Sequence, residues 1–526
     1  MMNSIRFRAR LEAIFADNLR ATQFLLHEVV VDLLPTALPQ EVHAFAQEFQ
    51  ATFVDMFGVD TGEGKTQFHL LFALDDEHLW CHLRVHFDAT SHAFPSMTKE
   101  FPALDWYERV VWEELGLLPQ GHPFLHRLRL PTDWPEDVYP QHHLFLWSHQ
   151  VEWVQPRPLA LEIAPVGVVD YPLGPVRSGV VESGHYTLRT VGEEIVDMNL
   201  QLFYKYRAIE KRAEGLSIAF LPLLAERISG TSAFAHSLAL CQALERVAAI
   251  EIPARVQFLR TLFAELERLY NHLGYQADLC QATGLVVGQA QFDILKERVL
   301  RLNAHLCGHR YLFGLNVPGG LSRDLHPEDK EAVATCMSAL RRDIEMLRQL
   351  LLASPSHLDR LEATGILSPD EARAYGAVGP IGRASGLDRD LRRDHPYAAY
   401  GQIDFDIPVL REDDAFARAR VRLEETMQSL HIIEQVLEQL PDGAVRVPMR
   451  PLPPGASASG WVESPRGESL HWLQVGEDGT LHRYRVRPAS FANWQAFPVV
   501  VPGHNILTDF PVIEQSFGLS FAGANG

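Results

Sequence analysis

The segment PARVQFLRTLFAELERLYNHLGYQADLC, residues 253–280, decides how the chain is read. Its apolar positions Val256, Leu259, Leu262, Phe263, Leu266, Leu269, Tyr270 and Leu273 recur at steps of three and four, which keeps them on one face of a helix. Pro253 suits the first helical turn, where its missing N–H has no partner to lose. Similar patterns over residues 195–213, 232–249, 291–313, 328–352 and 415–440 predict further helices. Helices this long and this apolar imply a bundle around a large shared core.

Both ends of the chain read differently. In residues 66–87, Asp75 and Asp76 separate two runs suited to the strands of a hairpin, within a small α+β domain. A helix is expected over residues 104–115, stopped by Gly116 and Pro119. Pro131, Pro135 and Pro140 punctuate a loop-rich exit, and a domain boundary is expected between Gln150 and Pro158. Near the other end, Gly460, Pro465, Gly467 and Gly479 divide residues 461–487 into short apolar runs that read as β-structure.

Composition excludes several classes. Of 526 residues, 47% are apolar and 22% charged, which excludes a wholly disordered chain. With 67 acids against 47 bases, a net charge of −20 and no basic block, general nucleic-acid binding is excluded. Cys81, Cys241, Cys280, Cys307 and Cys336 form no CxxC pair, so no iron–sulfur cluster or zinc ribbon is expected in this chain. Isolated cysteines also suit a reducing cytoplasm. No run of about 18 uncharged apolar residues occurs, so no membrane span is expected. The first residues carry Arg6, Arg8, Arg10, Glu12 and Asp17 rather than a signal-type apolar core. A soluble or peripheral cytoplasmic protein is therefore expected.

Gly62-Glu63-Gly64-Lys65-Thr66 ends like a phosphate-binding loop, but Val59 stands where the loop needs glycine, so a surface turn is expected. His142, His143 and His149 lack an acidic or cysteine partner at ligand spacing and are expected in a solvated loop. The stretch from Arg227 to His236, RISGTSAFAH, reads as a helix start, with Ser229 or Thr231 as cap and His236 on the helix face.

That stretch resembles RxCGxCxxxH, the first metal-binding motif of the nickel–iron hydrogenase large subunit. Arg227, Gly230 and His236 match, while Ser229 and Ser232 replace the two cysteines. KYRAIEKRAE, from Lys205 to Glu214, is similar to the HRGxEKxxE signature of the forty-nine-kilodalton subunit of respiratory complex I. VPGGLSRDL from Val317, GPIGRASG from Gly379 and LRRDHPY from Leu391 fit the same group. WVESPRGESLHW from Trp461 resembles the hydrogenase EAPRGxxxHW segment. Glu108 to Glu114 with Gly121-His-Pro resembles the thirty-kilodalton subunit of complex I. This order is that of the large subunit of energy-converting hydrogenases such as formate hydrogenlyase.

The resemblance implies an α+β fold. A small N-terminal α/β domain of the thirty-kilodalton type would cover residues 1–150. A large helix-bundle domain of the forty-nine-kilodalton and hydrogenase type, with a C-terminal β-containing part, would cover residues 155–526. By the same resemblance, the second hydrogenase motif, DPCxxC, falls on Asp509 to Gly523 and puts Ser520 and Gly523 at its cysteine positions. All four thiolates are thus replaced, and soft thiolates are what a nickel–iron site requires. No metal or other cofactor is expected in this chain. With the sequence running to Gly526, the extension removed during nickel insertion is not expected. The quinone-bonding tyrosine and histidine of the forty-nine-kilodalton family fall on Gly230 and Arg177. Arg227, His236, Arg383 and Arg466 match positions near the reaction centre and are the candidate catalytic residues. His236 is the candidate for proton transfer, since histidine ordinarily titrates near neutrality.

The implied role is that of a peripheral-arm subunit on the cytoplasmic side of the cell membrane, coupling electron transfer to ion translocation. Its implied partners are a small subunit that holds a [4Fe-4S] cluster and antiporter-like membrane subunits, with quinone or NAD(H) acting at the level of the complex. A quinone-reducing subunit with a rebuilt pocket and a non-catalytic scaffold are the alternatives.

Overall fold

Residues 19–87 hold most of the β-branched and aromatic runs of the first part of the chain, and they form five strands. These are β1 (Leu19–Phe24), β2 (Glu28–Leu33), β3 (Thr52–Gly62), β4 (Lys65–Leu74) and β5 (Leu79–Phe87). In this computed structural model the described residues are 4–25, 27–146, 148–156, 165–177 and 182–525. The sheet order is β1-β2-β5-β4-β3, with β2 and β5 parallel and the other pairs antiparallel. The expected hairpin is β4–β5, turned through Asp75–Glu77. Gly62, Glu63 and Gly64, all at positive φ, make the surface turn between β3 and β4.

The helix Asp105–Leu115 buries Glu108 and Glu113 as clamps on loops. Glu108 accepts from the Met97 N–H at 2.6 Å and the Thr98 hydroxyl at 2.9 Å. Glu113 accepts from the Leu128, Arg129 and Leu130 N–H groups at 2.9, 2.9 and 3.3 Å. His143 is not simply solvated: its Nδ1 lies 2.8 Å from Asp60, an acid 83 residues away and invisible to local spacing. Among the described residues no group of three or more His, Cys, Asp or Glu side chains stands close enough to hold a metal.

Two compact units result. One comprises Met1–Ile163 with Leu202–Tyr206 and Ala374–Gly376, and the other comprises Ala164–Gln201, Arg207–Arg373 and Ala377–Gly526. The linker expected at Gln150 to Pro158 falls partly outside the described residues, as does Gly526.

The second unit is built on the helix Ala254–Ala282, 29 residues long. Val286–Cys307, Ala415–Gln439 and Phe510–Phe517 pack against it, and Pro327–Leu352 packs against the first two of these. Its apolar stripe faces the core as its periodicity requires. Its other faces are buried too, and there Arg260, Glu265, Glu267, Arg268, His272 and Gln276 are all nearly inaccessible. A three-stranded antiparallel sheet of Ser457–Ser464, Gly467–Val475 and Leu481–Arg487 carries the helix Ala233–Val247 on its surface. Gly460 makes that approach possible, because a Cβ there would stand 1.9 Å from the Ala239 carbonyl oxygen.

One expected helix is absent. Residues 195–213 instead hold the strand Glu194–Gln201, paired with His185–Val191, and only a short helix Ile209–Ala213. The register shifts between Ile195 and Asp197, which puts buried Ile195 and Met198 on one face of a strand at helical spacing. No described helix is long and apolar enough to cross a membrane.

Candidate functional site

Arg207 brackets the site. Its guanidinium donates to the carbonyls of Arg227 (2.5 Å), Ile228 (2.8 Å) and Ala522 (2.8 Å), tying together two segments far apart in sequence. Between these segments stand the four positions that the resemblance assigns to lost thiolates. The Ser229 and Ser520 hydroxyl oxygens lie 3.4 Å apart. Ser520 also accepts from the Gly523 N–H at 2.9 Å, and its own N–H donates to Ser490 Oγ at 3.1 Å. A Cβ at Gly523 would lie 3.2 Å from Ser520 Cβ and Oγ.

The start of the helix Ala233–Val247 is not capped by Ser229 or Thr231. Glu267, from the long helix, accepts from the Phe234 and Ala235 N–H groups at 2.8 and 3.0 Å. A carboxylate at a helix N-terminus is favourable, yet burial dominates and pushes Glu267 up to about 8.

Arg466 reaches across to the same segment. Its Nε donates to the Gly518 carbonyl at 2.9 Å, and its Nη1 to Thr231 Oγ1, Ser232 Oγ and Asn271 Oδ1 at 3.0, 3.2 and 3.2 Å. Every one of these acceptors is uncharged. Burial, then the like charge of Arg422, lowers the Arg466 pKa. Arg466 lines a cavity of about 150 Å³ with Thr231, Tyr270, Asn271, Asp278 and Lys296.

The other candidates lie elsewhere. Arg227 is 59% exposed, paired with Glu226 at 3.0 Å and held over the Phe313 ring. His236 is buried: its Nδ1 lies 3.0 Å from His471 Nε2, and His471 Nδ1 lies 2.6 Å from the Tyr484 hydroxyl. Burial, then Arg466 and Arg207, push His236 down to about 3. It is therefore neutral at ordinary pH, and the expectation that it titrates near neutrality does not hold at this site. Neither Arg227 nor His236 lines the cavity with Arg466.

Arg383 sits in a buried ionic network. Its guanidinium contacts Glu425 at 2.6 Å, Glu463 at 3.0 Å and Asp390 at 3.1 Å. Arg392 joins Asp390 and Glu265 at 2.8 and 3.3 Å, Arg268 joins Glu265 at 3.2 Å, and His272 joins Glu425 at 2.8 Å. Three guanidinium groups thus face four carboxylates. Burial, then Asp390, push Glu463 up to about 7.

A nickel–iron centre does not fit these residues. Ser229 and Ser520 offer neutral hydroxyls in contact with each other, Ser232 faces a guanidinium cation, and Gly523 offers no side chain. Soft metals need thiolates, and this donor set has none. The quinone-bonding positions are also altered. Arg177 is held by Glu514 (Nη1 to Oε2 at 3.1 Å), which accepts from the Tyr186 hydroxyl as well, and Gly230 has no side chain.

Sequence reasoning passed over Glu267, Asn271, Lys296, His471 and Tyr484 as individual functional residues. Glu267, His471 and Tyr484 are polar groups within fully packed segments, a signal that becomes legible only once burial is known.

The fold and the relic motif together define a class of large subunit shared by complex I and the nickel–iron hydrogenases. The profile described as "Respiratory-chain NADH dehydrogenase, 49 Kd subunit" matches residues 290–457, and "Respiratory-chain NADH dehydrogenase, 30 Kd subunit" matches residues 32–150. The chain is 34% identical to formate hydrogenlyase subunit 5 of Escherichia coli (strain K12), over 87% of this chain and 82% of that protein. It is 33% identical to hydrogenase-4 component G of the same organism, over 92% and 86%. To an NADH-quinone oxidoreductase C/D subunit of Bacteroides thetaiotaomicron it is 28% identical, over 90% and 95%. The chain belongs to this family of hydrogenase-related large subunits, in which the two complex I subunit types are fused.

Proposed function

We propose that this chain is the large peripheral-arm subunit of a membrane-bound, complex I-like oxidoreductase that couples electron transfer to ion translocation without a nickel–iron centre of its own. The observation that carries the reading is the relic site. Ser229, Ser232, Ser520 and Gly523 occupy the ligand positions, and their neighbourhood is closed by hydroxyl contacts and by Arg466. The division into residues 1–150 and 155–526 belongs to the same proposal. So do a small [4Fe-4S] partner, antiporter-like membrane subunits and a cytoplasmic, peripheral location. Phe220, Leu223, Val286, Val287 and Ile294 are exposed apolar side chains on the second unit.

A quinone-reducing role has less support. Arg177 is engaged by Glu514, and a cavity of about 150 Å³ is below the usual range for organic ligands, roughly 300–1,000 Å³. The test is isolation of the native complex from its own host. Co-purification with a [4Fe-4S] subunit and antiporter-like membrane subunits, and electron transfer that drives ion uptake in vesicles, are expected. A free monomer with no such partners would overturn the proposal.

A further inference from the structure

The cavity beside the relic site has a lining that matches one kind of ligand. Two cations converge on it, Arg466 and Lys296. Arg466 spends its hydrogen bonds on neutral oxygens, so its charge has no bonded carboxylate. Lys296 makes no hydrogen bond or ion pair among the described residues. The Tyr311 hydroxyl and the Gln515 amide, both also in the lining, are likewise without hydrogen-bond partners there. Two cations thus face one carboxylate in the lining, Asp278, and an incoming anion would complete the charge balance.

The backbone makes room for this arrangement. Gly274 lies on the long helix one turn before Asp278, and Lys296 crosses directly over it. A Cβ at 274 would meet Lys296 Cε and Nζ at 3.2 Å and Cδ at 3.3 Å. The absent side chain is what lets the ammonium lie down over the helix. Asp278 is the one carboxylate in the lining, and burial raises its pKa, so it takes up a proton more readily than a solvated aspartate when an anion enters. The volume of about 150 Å³ admits only a ligand of a few heavy atoms.

We propose that this cavity binds a small oxyanion, a carboxylate or a tetrahedral dianion, between the Arg466 guanidinium and the Lys296 ammonium. This goes beyond the coupling role and does not depend on it, since it rests on the lining residues alone. Arginine presents a planar fork and lysine a point charge, a pairing suited to oxyanion recognition.

The experiment is titration of the purified full-length chain with sodium phosphate, sulfate, formate and acetate at constant ionic strength, against matched chloride, read by calorimetry and thermal shift. Saturable binding of at least one oxyanion is expected, and the preference between tetrahedral and carboxylate ions names the ligand class. Lys296→Met should weaken it by about tenfold or more, the scale of one lost charge-assisted hydrogen bond. Gly274→Ala, which pushes Lys296 aside while leaving its charge, should weaken it in the same direction. Both variants avoid Arg466, whose loss could impair folding. No saturable binding beyond chloride, or binding unchanged in both folded variants, would overturn the proposal.

Discussion

The hydroxyl oxygens of Ser229 and Ser520 stand 3.4 Å apart although 291 residues separate them in the chain. The fold brings together the two segments that the resemblance matches to the hydrogenase motifs, with hydroxyls at the matched positions. Arg207, bonded to the carbonyls on each side, holds that convergence without any metal ligand.

The first expectation concerns nickel. Protein made in a nickel-sufficient host with its maturation proteins should contain only trace nickel by elemental analysis, because hydroxyls in mutual contact do not replace thiolates. A content of about one nickel per chain would refute the reading of the relic site.

Arg383 and Arg227 should behave oppositely. Arg383→Ala strands Glu425 and Glu463 in a buried network and should cost about 3–5 kcal/mol in denaturant unfolding. Arg227→Ala removes an exposed side chain and should change stability by less than about 1 kcal/mol. Similar losses in both variants would contradict the placement of these residues.

Glu267 predicts a pH dependence. Its folded pKa, about 8, is raised above the ordinary glutamate value of 4.5, so the folded state holds a proton that the unfolded state releases first. The stability it contributes is present below about pH 4.5 and is lost as pH rises toward 8. Glu267→Gln keeps an acceptor for one of the Phe234 and Ala235 N–H groups, which bond separate carboxylate oxygens, and cannot titrate. Thermal melts across that window should fall less steeply with pH for the variant than for the parent. Parallel curves would show that Glu267 does not titrate there.

Gly460→Ala should damage the second unit. Its Cβ would meet the Ala239 carbonyl oxygen at 1.9 Å, and backbone cannot yield as a side chain can. A loss at or above the upper end of the about 1–3 kcal/mol typical of overpacking is expected in urea unfolding. A stable variant with an unchanged melt would mean that the helix and strand separate easily.

Residue patterns set the fold class and several of its elements. Steps of three and four along residues 253–280 identified the central helix, because an apolar stripe needs a core wherever it is placed. The glycine and proline breaks in residues 461–487 marked the sheet correctly. The same spacing misled at Ile195 and Met198, where a bulge imitates helical periodicity. That serines and a glycine stand at the four positions matched to thiolates was legible as well, since it is a matter of residue identity.

Charge and proximity were decided by the tertiary structure. The acids and bases on the long helix read locally as a polar face, yet Glu265, Arg268 and His272 are buried because partners arrive from segments more than a hundred residues away. The ordinary pKa of histidine made His236 look like a proton carrier, until burial beside Arg466 and Arg207 drove it down to about 3. Arg227 and Arg466, equivalent as motif residues, ended in unlike places, one exposed beside Glu226 and one lining a cavity. Composition and periodicity report what a segment must bury. Only the folded chain fixes which charges meet and how much water is left to screen them.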